Sequence, residues 1–374
     1  MMSAPNARTT IDGTTYDYFG GTGYLGLQAH TEVIEAGCRA LRTFGIHSAT
    51  SRTRYANPSV LNVELQASRF FGTESSFYLI SGYLSTGLLL RAVQEEVDAI
   101  FLDEASHYSI TEAAASSGLP VILFKNRDHT DLKSKLANTL TSSQTPLVLS
   151  DGVFASFGWI APIDRYRDVL ESYHRSIILI DDAHGFGVLG NDGRGTLDHF
   201  GYWQETNRLT AASEGTRLLV AGTLSKALGG QGGIVPCDAA LYEKVTTVAH
   251  YFDGASAPAA PVAAASARAL QIAIDNPDLR VQLRANINRA RQGLRQLGIQ
   301  TEDISTPIIG FEHGTSSDMQ RLHRNLAKAG ILVPYSDAYS GVGSEGAMRM
   351  AIFATHQADQ IDRMLDVLKR ELHP

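Results

Sequence analysis

A lysine set among hydroxyls and glycines is the first feature of this 374-residue sequence that could do chemistry. Residues 222–233 read Gly-Thr-Leu-Ser-Lys-Ala-Leu-Gly-Gly-Gln-Gly-Gly, with Lys226 after Thr223 and Ser225. Glycines let a backbone approach a ligand closely, and the two hydroxyls could bond phosphate oxygens. A lysine held in such a pocket can lose its proton and attack a carbonyl. The plainer alternative is a flexible loop with a solvated lysine, which the Thr-Leu-Ser-Lys run argues against.

Four further clusters sit just after short apolar runs. Asp181-Asp182-Ala183-His184-Gly185 follows Ile177-Ile178-Leu179-Ile180. A carboxylate there could keep a heteroaromatic ring nitrogen protonated. At about 3 Å and an effective dielectric of about 20 the attraction is about 5 kcal/mol before desolvation. A metal site or a helix N-cap is the alternative. Ser81-Gly82-Tyr83 stands between the run 77–80 and a helical pattern. Backbone N–H groups at such a helix start make an anion site, although an ordinary strand-to-helix turn would read the same way. His107, in Asp103-Glu104-Ala105-Ser106-His107, could stack on an aromatic ring or move a proton; taken singly, it also suits a packed or surface position. Arg349 lies inside Ala347-Met348-Arg349-Met350-Ala351. If buried it needs a partner, either a substrate carboxylate held by both arms of the guanidinium or a structural salt bridge.

The elements that must position these groups show in the hydrophobic pattern. Strands are expected at 77–80, 99–102, 121–124, 147–149, 177–180 and 218–221, with helical spacing between them at 84–94 and 165–173. That alternation indicates βαβ units and an α/β fold with a mostly parallel central sheet covered by helices. Ligands in such sheets sit beyond the carboxyl ends of the strands, where the clusters above lie. From about Pro258 the pattern changes. Two long helical segments at 262–275 and 278–297 precede short strands near 306–312, 331–333 and 347–353. A helix separates the first two strands, and another at 358–372 ends the chain. This reads as a smaller α+β domain. The expected division is an N-terminal segment 1–45, a large domain 46–257 and a C-terminal domain 258–374.

Composition narrows the function classes. The net charge of −7 argues against a broad nucleic-acid or anionic-membrane footprint. Two cysteines, Cys38 and Cys237, without a Cys/His cluster, speak against a disulfide framework and a structural zinc. No metal is expected at the site. Residues 1–11 lack an apolar signal core and no apolar run approaches membrane-span length, so a soluble cytoplasmic protein is expected.

Together the motifs resemble the α-oxoamine synthase family of pyridoxal 5′-phosphate (PLP) enzymes, of the fold-type I, class II aminotransferase superfamily. The resemblance covers nearly the whole chain. It runs from Tyr24-Leu25-Gly26-Leu27 through Ser51-Arg52, Ser81-Gly82-Tyr83, His107 and Asp151-Gly152-Val153-Phe154. It continues through Asp181-Asp182-Ala183-His184 and Thr223-Leu224-Ser225-Lys226 to Met348-Arg349. It implies that Lys226 carries PLP as a Schiff base and moves the substrate proton. By the same resemblance Asp181 pairs with the pyridine nitrogen, His184 bonds the phenolic oxygen and His107 stacks on the ring. Ser81, Gly82, Tyr83, Thr223 and Ser225 would surround the phosphate, and Arg349 would hold the substrate carboxylate. A homodimer is implied, with Ser256 of one subunit reaching the phosphate of the other. The implied reaction is decarboxylative condensation of an amino acid with an acyl thioester, on CoA or a carrier, to an aminoketone. Departures from the family pattern at Thr22, Asn62, Thr86, Ala155 and Phe157 leave an aminotransferase, or a lyase or aldolase acting on an amino acid, as the alternative. A catalytically idle binding protein would have no physical need for Lys226, Asp181 and His184 together.

Overall fold

The computed structural model describes residues 1–52, 55–209, 214–248, 250, 254–337 and 339–372. An N-terminal hairpin comes first, β1 (Arg8–Ile11) and β2 (Thr14–Tyr18). Its turn is Asp12-Gly13, both at positive φ, the two-residue geometry that matches strand twist.

The central sheet holds β3 (Ser75–Leu79), β4 (Ala99–Asp103), β5 (Val121–Phe124), β6 (Pro146–Asp151), β7 (Arg175–Asp181), β8 (Gly215–Thr223) and β9 (Gly233–Cys237). Their spatial order is β3-β9-β8-β7-β6-β4-β5. All pairings from β8 to β5 are parallel, while β9 runs antiparallel to both β3 and β8. The fold is thus the α/β, mostly parallel arrangement expected. The strand residues divide by alternation between two buried layers. Ile178, Ile180, Val148 and Val220 face one, and Ile177, Leu179, Leu149 and Leu219 face the other. Covering both faces is why these strands read as unbroken apolar runs.

The strand β9 was not expected. Its sequence opens on glycine and contains Pro236, which reads as a continuation of the glycine-rich tail. The ladder between β8 and β9 spans two residue pairs, Gly222 with Ile234 and Thr223 with Gly233. Beyond it the side chain of Asn207 takes over, donating to the carbonyls of Val220 and Pro236 and accepting from Val220 N–H.

Beyond the central sheet, β10 (Ile308–Phe311), β11 (Ile331–Leu332) and β13 (Ala347–Ala351) follow the expected order, and a two-residue strand that was not expected, β12 (Tyr335–Ser336), precedes the last. β13 lies between β10 and β12, whereas β11 pairs in parallel with β2 and so ties the first residues of the chain to the last third. The long helices run Ala260–Asp275 and Asp278–Gln296, and the last is Ala358–Leu372. No helix among the described residues is long and apolar enough to cross a membrane.

Candidate active site

The register of the parallel strands assembles the site. Asp151 at the end of β6 lies beside Asp181 at the end of β7, which lies beside Ala221 of β8. Two residues later β8 ends at Thr223, and the chain turns to present Lys226. A cavity of about 390 Å³ opens at these carboxyl ends. Its walls include Ser81, Gly82, Tyr83, His107, Asp181, His184, Thr223, Ser225, Lys226 and Arg349. Sequence motifs up to 268 residues apart in the chain thus meet at one place.

Lys226 Nζ lies 2.8 Å from His184 Nε2. Burial lowers the lysine to about 8, against the opposing pull of the Asp181 and Asp151 carboxylates. The amine is therefore accessible in its neutral, nucleophilic form near neutral pH. His184 is itself buried, and burial, then the nearby Lys226 and Arg349 charges, hold it well below the usual imidazole range. Its Nδ1 lies 2.7 Å from the hydroxyl of the fully buried Tyr24.

Asp181 is held on both oxygens. Thr86 Oγ1 donates to Oδ2 at 2.8 Å, and the Ala183 N–H donates to Oδ1 at 3.1 Å. Asp151 accepts the His107 N–H at 2.8 Å. Burial, then repulsion from Asp181, raises its carboxyl well above the usual range. The next carboxylate, Asp182, points away from the cavity and is caged by glycine. A Cβ on Gly185 or Gly195 would stand 1.9 Å from its oxygens. Thr196 donates both its N–H and its hydroxyl to Asp182, while burial lifts the acid to about 7.

His107 caps the helix Tyr108–Ala115, with Nδ1 2.8 Å from Ser109 Oγ and accepting the Ser109 N–H. Its ring is half-buried and leaves one side to the cavity between Tyr83 and Tyr339. Burial, then the Lys226 charge, lowers its pKa.

At the opposite end the rim is rich in hydroxyls. Ser81 caps the short helical turn Gly82–Leu84 by accepting the Tyr83 N–H, and Thr223 Oγ1 lies 2.7 Å from Ser225 Oγ. Gly82 packs so tightly on Thr223 that an added Cβ would sit 2.6 Å from its hydroxyl. Glycine is required for that approach.

Arg349 projects from β13 into the cavity. Its Nε donates to the Ala155 carbonyl at 2.7 Å and Nη1 to the Gly21 carbonyl at 3.3 Å. Among the described residues it makes no salt bridge, and its bonds there go to the two carbonyls. Ser256 is the one expected site residue not brought to the cavity. It is exposed and bridges Ser51 in an isolated β-pair. Residues that local sequence reasoning did not assign a role include Tyr24, Thr86, Asp151 and Tyr339. Tyr24 and Asp151 lie in motifs that carried the resemblance, so a signal existed; nothing in the spacing around Thr86 or Tyr339 points to the site. No group of three His, Cys, Asp or Glu side chains among the described residues could hold a metal.

The donor set fits PLP. It offers a buried amine of lowered pKa for an aldehyde, a carboxylate for a ring nitrogen, and a glycine-and-hydroxyl cradle for a phosphate. The profile of the aminotransferase class I and II family matches residues 20–368. The chain is 30% identical to the 8-amino-7-oxononanoate synthase of Methylococcus capsulatus, over 98% of this chain and 92% of that one. It is 30% identical to 8-amino-7-oxononanoate synthase 2 of Bacillus subtilis, over 100% of this chain and 93% of the relative. The solved serine palmitoyltransferase of Sphingomonas wittichii superposes with a TM-score of 0.88 at 25% identity, covering 99% of this chain and 91% of that one. The chain belongs to the aminotransferase class I and II family and, within it, to the α-oxoamine synthases.

Proposed function

We propose that this chain is a PLP-dependent acyltransferase of the cytoplasm that joins a small amino acid to an acyl thioester, with loss of carbon dioxide, to give an aminoketone. When bound, PLP supplies an electron sink that stabilises negative charge at the amino acid's α-carbon. The rest falls to the protein's own side chains. Lys226 would be the amine that carries the cofactor and the base that takes the α-proton. Its lowered pKa suits that task, because a base works best when its pKa lies near the working pH. Asp181, braced by Thr86 and Ala183, holds a proton on the ring nitrogen. His184 would donate to the ring's phenolic oxygen, and His107 would cover one face. Ser81, Gly82, Tyr83, Thr223 and Ser225 hold the phosphate. Arg349 takes the substrate carboxylate with the guanidinium edge that the Ala155 and Gly21 carbonyls leave open. The single observation that carries this reading is the convergence of Lys226, Asp181, His184 and Arg349 on one cavity.

A homodimer is part of the proposal. Apolar side chains at and near the cavity rim stand open in the single chain. Ile80 is 60% exposed, Tyr83 42% and Leu84 40%. A second copy covering them would bury that surface and could bring its exposed Ser256 to the phosphate cradle. The test is to incubate the holoenzyme with glycine, alanine or serine and a set of acyl-CoAs, following free thiol and carbon dioxide. Release of both in equal amounts is expected for at least one pair. Conversion of the cofactor to its amine form by an amino donor alone, with no thiol released from any pair, would replace this reaction with transamination.

A further inference from the structure

The side chain of Tyr24 has no assigned part in the chemistry, yet it is fully buried and its hydroxyl ends 2.7 Å from His184 Nδ1. The other nitrogen of the same ring is the one that faces Lys226, at 2.8 Å. A neutral imidazole carries one N–H and one lone pair, and a hydrogen bond at one nitrogen decides what the other can do. The direction of the bond at Nδ1 therefore sets the chemistry at Nε2.

One neighbour favours a direction. The Arg349 guanidinium lies near enough to the Tyr24 hydroxyl for its charge to act on the oxygen. A guanidinium is positive and has no acceptor atom, so the hydroxyl turns its oxygen, not its proton, toward it. Tyr24 then has its own proton to give, and the lone pair of His184 Nδ1 is the acceptor within reach. Burial reinforces this by pushing the phenol up to about 12, which keeps the proton on Tyr24 at any physiological pH.

We propose that Tyr24 is a positioning residue that locks His184 in the Nε2–H tautomer, so that a fixed N–H donor, never a lone pair, faces the cavity. The bonds then run from Tyr24 to Nδ1, and from Nε2–H to whatever occupies the cavity. Without PLP, above the Lys226 value of about 8, that acceptor is the lone pair of the neutral amine. With PLP in place, which rests on the function proposed above, it is the phenolic oxygen.

The test uses full-length protein labelled with ring-15N histidine, with and without PLP. His184 is identified by the signal lost in His184→Asn. At about pH 9, above the Lys226 value of about 8, the wild-type proton is expected on Nε2 in both forms. Tyr24→Phe removes one hydroxyl. It is expected to yield the Nδ1–H tautomer or a mixture, and to weaken PLP retention roughly fivefold, the size of one ordinary hydrogen bond. A wild-type proton on Nδ1 would overturn the proposal, and so would an unchanged tautomer in Tyr24→Phe. If the variant does not fold, the wild-type spectrum alone decides. If the wild-type chain binds no PLP, the proposed function fails, and the spectrum of the cofactor-free chain still tests the tautomer.

Discussion

At the scale of single residues, the site depends on side chains that hold other side chains. Thr86 touches Asp181 through one hydroxyl, inside a buried environment where a lost partner is not replaced by water. Thr86→Val keeps the shape and removes that donor. The expected result is a fall in kcat of roughly tenfold, with KM for the amino acid little changed, because the bond supports charge on the ring rather than substrate binding. Steady-state kinetics at saturating acyl donor checks it. Arg349 makes the opposite case. Arg349→Lys keeps the charge but loses the planar fork, so KM for the amino acid should rise roughly tenfold or more while PLP stays bound. Equal KM values in the two enzymes would remove Arg349 from carboxylate binding.

Elements place these residues, and much of that placement was legible in the sequence. Lys226, Asp181 and His107 each follow an apolar run, and parallel strands put such positions in one crevice. Tyr24 stood in a motif of the resemblance and Thr86 among its departures, but what each side chain touches was not legible. Their partners His184 and Asp181 lie 160 and 95 positions away, and no local spacing encodes such contacts. β9 was missed for a similar reason: a strand opening on glycine and carrying proline is allowed there because the Asn207 side chain replaces part of the ladder. The hairpin β1–β2 had its Asp12-Gly13 signal in plain view. The turn after β7 makes its own prediction. An added Cβ on Gly185 would meet the Asp182 carboxylate, which Thr196 holds in place. Gly185→Ala should therefore cost about 3 kcal/mol in denaturant unfolding, the upper range for overpacking. A loss within experimental error of zero would show that Asp182 can move.

For the whole molecule, the join between the chain's two ends carries a pH response. His356 is 1% exposed, stacks on Phe19, accepts the Phe353 N–H at Nδ1 and lies 3.0 Å from the Tyr18 carbonyl at Nε2. Nδ1 is already an acceptor, so a second proton has no place there. Burial drives the group from 6.5 to about 4. The folded value lies below the unfolded one, so the unfolded chain takes up the proton first as pH falls. Stability is complete above about pH 6.5 and is lost as pH drops through about 4, by about 3 kcal/mol in total. Urea midpoints at pH 7.5 and 5 should differ in the wild type, and by less in His356→Phe. The proposed dimer is tested at the same scale. Sedimentation should give twice the 40.4 kDa chain mass, and a monomer retaining full activity would refute the shared site.

The central claim is that Lys226 is the amine that holds PLP. The direct measurement is borohydride reduction of the holoenzyme, followed by digestion and peptide mapping. A pyridoxyl group on Lys226, and loss of the visible absorption in Lys226→Ala, is the predicted result. A label on another lysine, or none on the wild-type chain, would contradict it.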